Sequence, residues 1–259
     1  MMNFQNLKIE QMQAFTQITL SRPPLNVIDI QTLRELRDAF IDAQKHPTKA
    51  IVLAAEGKAF SAGVDIKDHT PDKVGSMMTL LREAFQALWA IEQPTVAVVQ
   101  GMALGGGMEL AIGCDFIIAS ESAQFGQPEI KVGVFPPIAC LLLPRLLPWA
   151  KALELVMPGE SVNAQEAHRL GLVNRVVPAA QLASEVTQFM SKLTELSAPV
   201  LKLTKRASLI SIGDEGAADR MKAYMRLEKM YLEELMPLHD AQEGIQAFIE
   251  KRKPIWQSK

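Results

Sequence analysis

The stretch TVAVVQGMALGGGMEL, residues 95–110, decides the reading of the fold. Its first five residues, Thr95 to Val99, are small or β-branched and mostly apolar. That is the signature of a strand buried on both faces of a parallel sheet. Three consecutive glycines, Gly105 to Gly107, then let the backbone bend sharply and let a ligand approach closely. They lead into a helix predicted to start near Leu104. Amide groups at such a helix start are free to hold an oxyanion or a carbonyl oxygen. Glu109 falls about one turn inside, where a carboxylate can work beside those donors.

The same grammar recurs on both sides. Upstream, Ala50 to Ala55 (AIVLAA) is another continuous apolar run, followed by KAFSAGVDI, residues 58–66. Ser61-Ala62-Gly63 is a turn of small residues that offers a second backbone N–H. Downstream, Phe116 to Ala119 reads as a third strand, and FGQPEIKVGVFPP follows at residues 125–137. There Pro128 fixes the backbone just before Glu129, and Gly133 with Pro136-Pro137 shapes the segment beyond. Each motif alone has an ordinary meaning: a tight strand–helix turn, or an acid favourable to a helix start. Together they place two turns with amide donors after two buried strands, with two glutamates just beyond. A pair of N–H donors stabilises a thioester enolate. Two carboxylates can hold one water and exchange protons with it as base and acid.

The rest of the chain frames these motifs. Residues 7–20 alternate weakly at Ala14, Thr16, Ile18 and Leu20, which suits a β-hairpin stopped by Arg22-Pro23-Pro24. Asp29 can cap a helix running to about Lys45, with Leu33, Leu36, Phe40 and Ile41 on one face. Residues 76–92 place Leu81, Phe85, Leu88 and Ile91 at helical spacing, and Pro94 ends that helix. Leu172 to Val177 suits a last short strand; beyond about residue 179 the pattern is helical. Strands and helices alternate, then helices finish the chain, as in an α/β core with a C-terminal helical region. No fixed-period repeat or flexible linker marks a clean division into two domains.

Composition excludes several classes. The 259 residues carry a formal charge of 27 − 29 = −2, with 48% hydrophobic and 22% charged residues. Both signs are spread along the chain, so no basic stripe points to nucleic acid. Cys114 and Cys140 have neither disulfide-framework nor zinc spacing and read as buried thiols. His46, His69, His168 and His239 lack metal-ligand spacing. His69, in DHTPD, stands near the second turn, where its ordinary reading is an exposed loop histidine. No GxGxxG, GxxxxGK[ST] or GxSxG motif occurs. The segment MMNFQNLKIEQ does not read as a signal peptide. The most apolar run, Val134 to Pro144, holds three prolines and is too short to span a bilayer. A cytoplasmic protein with no membrane contact is expected.

In RPPLN near residue 22, FSAGVD, ALGGGMEL, FGQPEIKVG and AFIEKRKP (residues 247–254), the chain resembles the crotonase superfamily, the enoyl-CoA hydratases and isomerases. The resemblance covers nearly the whole chain. It implies a ClpP-like α/β spiral of ββα units, with residues 1–195 forming the core and acyl-CoA site. Residues 196–259 then form a C-terminal helical region that drives assembly into a homotrimer or homohexamer. By motif match, the thioester carbonyl lies between the N–H groups of Ala62 and Gly106. Ala62, Gly63, Val64, Asp65, Gly105 and Gly106 line the CoA and substrate site. Lys251 matches a basic residue that reaches CoA phosphates, often from a neighbouring subunit. Glu109 and Glu129 match the two catalytic glutamates of hydratases, and keeping both favours water addition over isomerisation. No metal or redox cofactor is implied, since CoA enters with the substrate. After Gly133 the chain departs from ordinary fatty-acid hydratases. GVDIKDHTPD and GQPEIKVGVFPP are most similar to cyclohexa-1,5-diene-1-carbonyl-CoA hydratases, of anaerobic aromatic degradation. On that resemblance His69, Phe135 and Pro136 face the acyl group. A general short-chain enoyl-CoA hydratase and an enoyl-CoA isomerase are the rival readings.

Overall fold

The computed structural model describes residues 4–12, 14–211 and 217–258. The expected hairpin forms, β1 (Leu7–Gln11) pairing antiparallel with β2 (Phe15–Leu20). From β2 the main sheet continues in parallel through β3 (Ala50–Ala55) and β4 (Thr95–Val99). Three very short strands, β5 (Met102–Leu104), β7 (Gln124–Gly126) and β8 (Ser161–Asn163), build a separate sheet in the order β5-β7-β8. The main sheet is completed by β6 (Phe116–Ser120) and β9 (Arg175–Val177), giving the order β1-β2-β3-β4-β6-β9.

Helix α1 (Ile30–Ala43) begins where Asp29 accepts a hydrogen bond from the Thr32 N–H at 2.8 Å. It packs against α2 (Val74–Trp89). Leu33, Leu36 and Phe40 are buried, but Ile41 is 43% exposed. One residue advances a helix by about 100°, which carries Ile41 off the face that Phe40 buries. Helix α3 starts at Gly106 and runs to Gly113, two residues later than expected. Met102–Leu104 is instead a strand of the small sheet, and Gly105 turns the chain with φ +51°. The strand expected over Leu172–Val177 is confined to its last three residues. Leu172 and Val173 both donate to the Ala167 carbonyl instead, closing the turn after a helix.

Two successive segments repeat one progression: a strand in the main sheet, a short strand in the small sheet, then a helix. They are β4-β5-α3 and β6-β7-α4, where α4 is Pro137–Leu146. A 3₁₀ turn, Pro128–Val132, precedes α4. This is the ββα progression that the family resemblance implies. After α5 (Trp149–Val156) and α6 (Ala164–Arg169) comes α7 (Leu182–Thr194). Leu182 and Met190 of α7 cover the sheet residues Ala50, Val52, Val96 and Ile118. The chain finishes with α8 (Ala198–Ser211), α9 (Ala217–Met230), a π turn at Tyr231–Leu235 and α10 (His239–Ile249).

The C-terminal helices fold back onto the rest of the chain. Tyr224, Tyr231, Met236 and Ile245 belong to the same core cluster as Phe40, Phe85, Met108 and Phe125. Helix α10 lies on the Pro128–Val132 turn, and a side chain at Gly244 would collide with the Val132 carbonyl. Burial of this interface therefore steadies the backbone that carries Glu129. Cys114 and Cys140 are free and only partly buried. No helix among the described residues is long and apolar enough to cross a membrane.

Candidate active site

Backbone amides after β3 account for themselves one by one. Ser61 donates to Met102 O at 3.1 Å, Ala62 to Leu25 O at 3.0 Å, and Asp65 to Ile28 O at 2.9 Å. Gly63 donates to the Ser61 hydroxyl at 3.1 Å. The Val64 N–H alone in this run has no acceptor among the described residues. Most backbone amides in a fold are paired, and that of half-buried Val64 is the exception in this turn. After β5, Leu104 donates to Ser61 O at 3.0 Å and Gly105 to Gly126 O at 2.9 Å, whereas Gly106 opens α3 with a spare N–H. The two spare amides adjoin: a Cβ built on Gly106 lies 3.4 Å from Val64 N. The expected pair of donors therefore exists as Val64 and Gly106. Ala62 is corrected: its amide is used to tie the turn to Leu25, and the next-but-one residue presents the free donor.

Asn26 underpins this turn. Buried at φ +51°, it donates from Nδ2 to Glu56 O at 2.8 Å and to Ala59 O at 2.9 Å. Its own carbonyl accepts from the Ser61 hydroxyl at 2.7 Å. Asp65 then caps the 3₁₀ turn Ile66–Asp68 by accepting from Lys67 N at 3.1 Å.

Both glutamates reach one cavity. The first turn of α3 carries Glu109 into the core, where it is 2% exposed. Its Oε1 accepts from Ile138 N and Ala139 N, each at 2.9 Å, so the carboxylate sits on the N-terminus of α4. Burial nevertheless dominates and pushes its pKa up to about 7. Glu129, at the start of the Pro128–Val132 turn, is raised well above the usual carboxylate range by burial and by the charge of Glu109. Two such close acids titrate as a pair. Near neutral pH the arrangement favours one proton held at Glu129 beside an ionised Glu109. Gln127, fully buried, stands beside Glu129. With its amide nitrogen turned to the carboxyl group, it donates to the two oxygens at 3.3 and 3.1 Å. Gly105 meets the same group from the other side, where any Cβ would collide with Glu129 Oε1.

The cavity, about 40 Å³, is lined by Glu109, Glu129, Val64 and Gly106, with Phe135, Pro137 and Tyr231 among its apolar and aromatic walls. That is room for a water with a short aliphatic group beside it. His69 also lines it and is 6% exposed, contrary to the reading as an exposed loop histidine. Phe135 packs edge-on to Tyr231 with ring centroids 5.2 Å apart. The proline facing the cavity is Pro137, not Pro136. Pro136 is the N-cap of α4, buried but outside the cavity lining, and Pro137, the first residue of the helix, lines the cavity with the glutamates. Lys251 is exposed at φ +56° just past α10 and lines neither this cavity nor the larger one beside it. The structure therefore gathers Val64, Gly106, Glu109, Glu129, His69 and Phe135, and leaves Lys251 outside.

Sequence reasoning missed Tyr231 and the place of Gln127 beside Glu129, and of the pair Pro136-Pro137 it chose Pro136. Tyr231 lies far from the other residues along the chain, and only the return of the C-terminal helices brings it in. Gln127 and Pro137 lie inside the motif that was read, but which of its side chains turn inward follows from the 3₁₀ turn and the helix start.

Comparison with known proteins finds relatives along nearly the whole chain. The family model for enoyl-CoA hydratase/isomerase matches residues 10–259. A probable enoyl-CoA hydratase of Mycobacterium bovis is 36% identical over 260 residues, covering 98% of each chain. A cyclohexa-1,5-dienecarbonyl-CoA hydratase of Thauera aromatica is 34% identical over 253 residues, covering 97% of this chain and 96% of its own. Among solved structures, a carnitinyl-CoA hydratase from Mycobacterium avium superposes with a TM-score of 0.87 at 31% identity. That match covers 99% of this chain and 100% of the other.

Proposed function

The chain belongs to the enoyl-CoA hydratase/isomerase family, and from that premise we propose that it adds water across the double bond of a short α,β-unsaturated acyl-CoA thioester. One observation carries the reading: a buried and a half-buried carboxyl group, both with raised pKa values, line one small cavity beside two spare amides.

The thioester oxygen sits between the N–H groups of Val64 and Gly106. Donors fixed in advance stabilise the negative charge that develops there, and polarisation makes the β-carbon electrophilic. Ionised Glu109 takes a proton from the water as its oxygen bonds to that carbon. The electron pair moves to the thioester oxygen as an enolate. Protonated Glu129 then delivers its proton to the α-carbon, and the enolate collapses back to the thioester. The pair ends with the same single proton, moved from Glu129 to Glu109, and exchange resets it. No cofactor takes part in these steps; CoA arrives as part of the substrate. We place Lys251 toward CoA phosphates of a neighbouring subunit in a homotrimer or homohexamer.

A second acyl group deserves a test. The relative from Thauera aromatica acts, by its name, on a cyclic diene, and Phe135 with Pro137 builds the VFPP wall that resembles such enzymes. A six-membered ring needs a cavity on the order of 150 Å³, so the inner cavity of about 40 Å³ favours the short linear group. Purified protein offered crotonyl-CoA and cyclohexa-1,5-diene-1-carbonyl-CoA side by side should hydrate crotonyl-CoA with the higher kcat/KM. Preference for the cyclic diene makes it an enzyme of aromatic degradation instead. Hydration of neither overturns the proposed activity.

A further inference from the structure

Two cavities meet at one side chain. The inner one, about 40 Å³, holds the glutamates. The outer one, about 350 Å³, lies between the Thr70-Pro71 turn and α10, with Met236, Gln242 and Ile245 in its walls. Among the residues lining the two, His69 is common to both. Its ring is 6% exposed and stands 6.4 Å from Tyr231, centroid to centroid. One hydrogen bond holds it: Nδ1 lies 3.1 Å from the Asp65 carbonyl oxygen, which makes Nδ1 the donor. It carries no other side-chain hydrogen bond among the described residues, so the imidazole acts here chiefly as volume.

The consequences follow from size. The inner space accepts a small tail beside the water and no more. A longer tail, or a ring, has to pass the imidazole to reach the outer space, whose volume lies at the lower end of the range for small-molecule pockets. We propose that His69 is the partition that sets acyl length, closing the glutamate cavity against the chamber under Thr70-Pro71. Taking the imidazole away joins the two spaces and turns the site toward long or cyclic acyl groups. This rests on the hydratase reading above, and it adds a specificity-determining residue to that site.

The test compares kcat/KM for crotonyl-CoA and trans-2-decenoyl-CoA in the wild type, His69→Ala and His69→Leu. A ratio measured within one preparation is insensitive to the fraction of folded enzyme. His69→Ala should shift the ratio toward the decenoyl substrate by at least about tenfold, the scale set by a few methylenes gaining a pocket. His69→Leu, which restores bulk without a polar atom, should keep the wild-type ratio. Affinities for the unreactive butyryl-CoA and decanoyl-CoA, measured by calorimetry, should shift in the same sense. If the wild type hydrates crotonyl-CoA but His69→Ala leaves both ratios unchanged, the partition is wrong and the hydratase reading stands. If His69→Leu moves them as far as His69→Ala does, polarity rather than volume decides, and the partition is again wrong. If the wild type neither binds nor hydrates any of these thioesters, both fall.

Discussion

Glu109 and Glu129 illustrate how two identical side chains acquire different tasks. Glu109 is held by two amides at the start of α4, whereas Glu129 feels the charge of Glu109 on top of its own burial. That places the proton at Glu129. Glu129→Gln, which keeps the shape and removes the proton, should lower kcat for enoyl-CoA hydration by at least about 100-fold. A loss under about threefold would sink its assigned role. The raised pKa also has a stability consequence. Between the ordinary carboxylate range and about 7, the unfolded chain has released a proton that folded Glu109 still holds. The stability that Glu109 contributes therefore falls as pH rises through that window. Glu109→Gln cannot ionise, and its Oε1 can still accept from Ile138 and Ala139. Its Tm should exceed that of the wild type at pH 8 and converge with it toward pH 4.5, a difference on the order of 3 kcal/mol at the alkaline end. Equal pH profiles for the two proteins contradict this. At this scale the sequence was readable where a motif names the residue, as at Glu109, Glu129 and Gly106. It was not readable where hydrogen-bond register decides. FSAGVD shows a small-residue turn, but that Ala62 is spent on Leu25 while Val64 is spare depends on how Leu25 and Ile28 lie alongside.

The elements that carry the site were legible in proportion to their length. Apolar runs at Ala50–Ala55 and Thr95–Val99 announced buried strands, and α1 and α2 showed their helical spacing. The strands β5, β7 and β8, three residues each, are too short to show any period. Yet β5 and β7 fix the two turns that matter, since Gly105 donates to Gly126 O as it leads into α3. Gly105 stands at φ +51° with Glu129 packed against it. Gly105→Ala should therefore displace the Glu129 carboxyl group and cost roughly 1–3 kcal/mol in backbone strain. We expect kcat to fall at least about tenfold and Tm to drop. Wild-type kinetics in this variant would show that the close approach of Gly105 to Glu129 is not needed for turnover.

The whole molecule is closed by helices whose role was only partly visible in sequence. Their helical pattern was plain, but their return over the site was not, because Tyr231 and Gly244 contact residues about a hundred positions earlier. The same region also faces outward. Leu196, Val200, Leu203 and Ile210 are 53%, 59%, 55% and 60% exposed along one segment. An exposed apolar stripe of this kind marks an association surface. Light scattering should report a trimer or hexamer, and Val200→Glu with Leu203→Glu should lower the mass; a wild-type monomer contradicts the assembly. In the proposed reaction Glu109 and Glu129 add a water oxygen to a thioester polarised by Val64 and Gly106. The most direct test is to incubate wild type and Glu129→Gln with crotonyl-CoA in ¹⁸O-labelled water and to analyse the acyl products by mass. Wild type should yield 3-hydroxybutyryl-CoA carrying the label on its hydroxyl group, and the variant almost none. Unlabelled or absent product from the wild type, or equal labelling by both, would contradict the account.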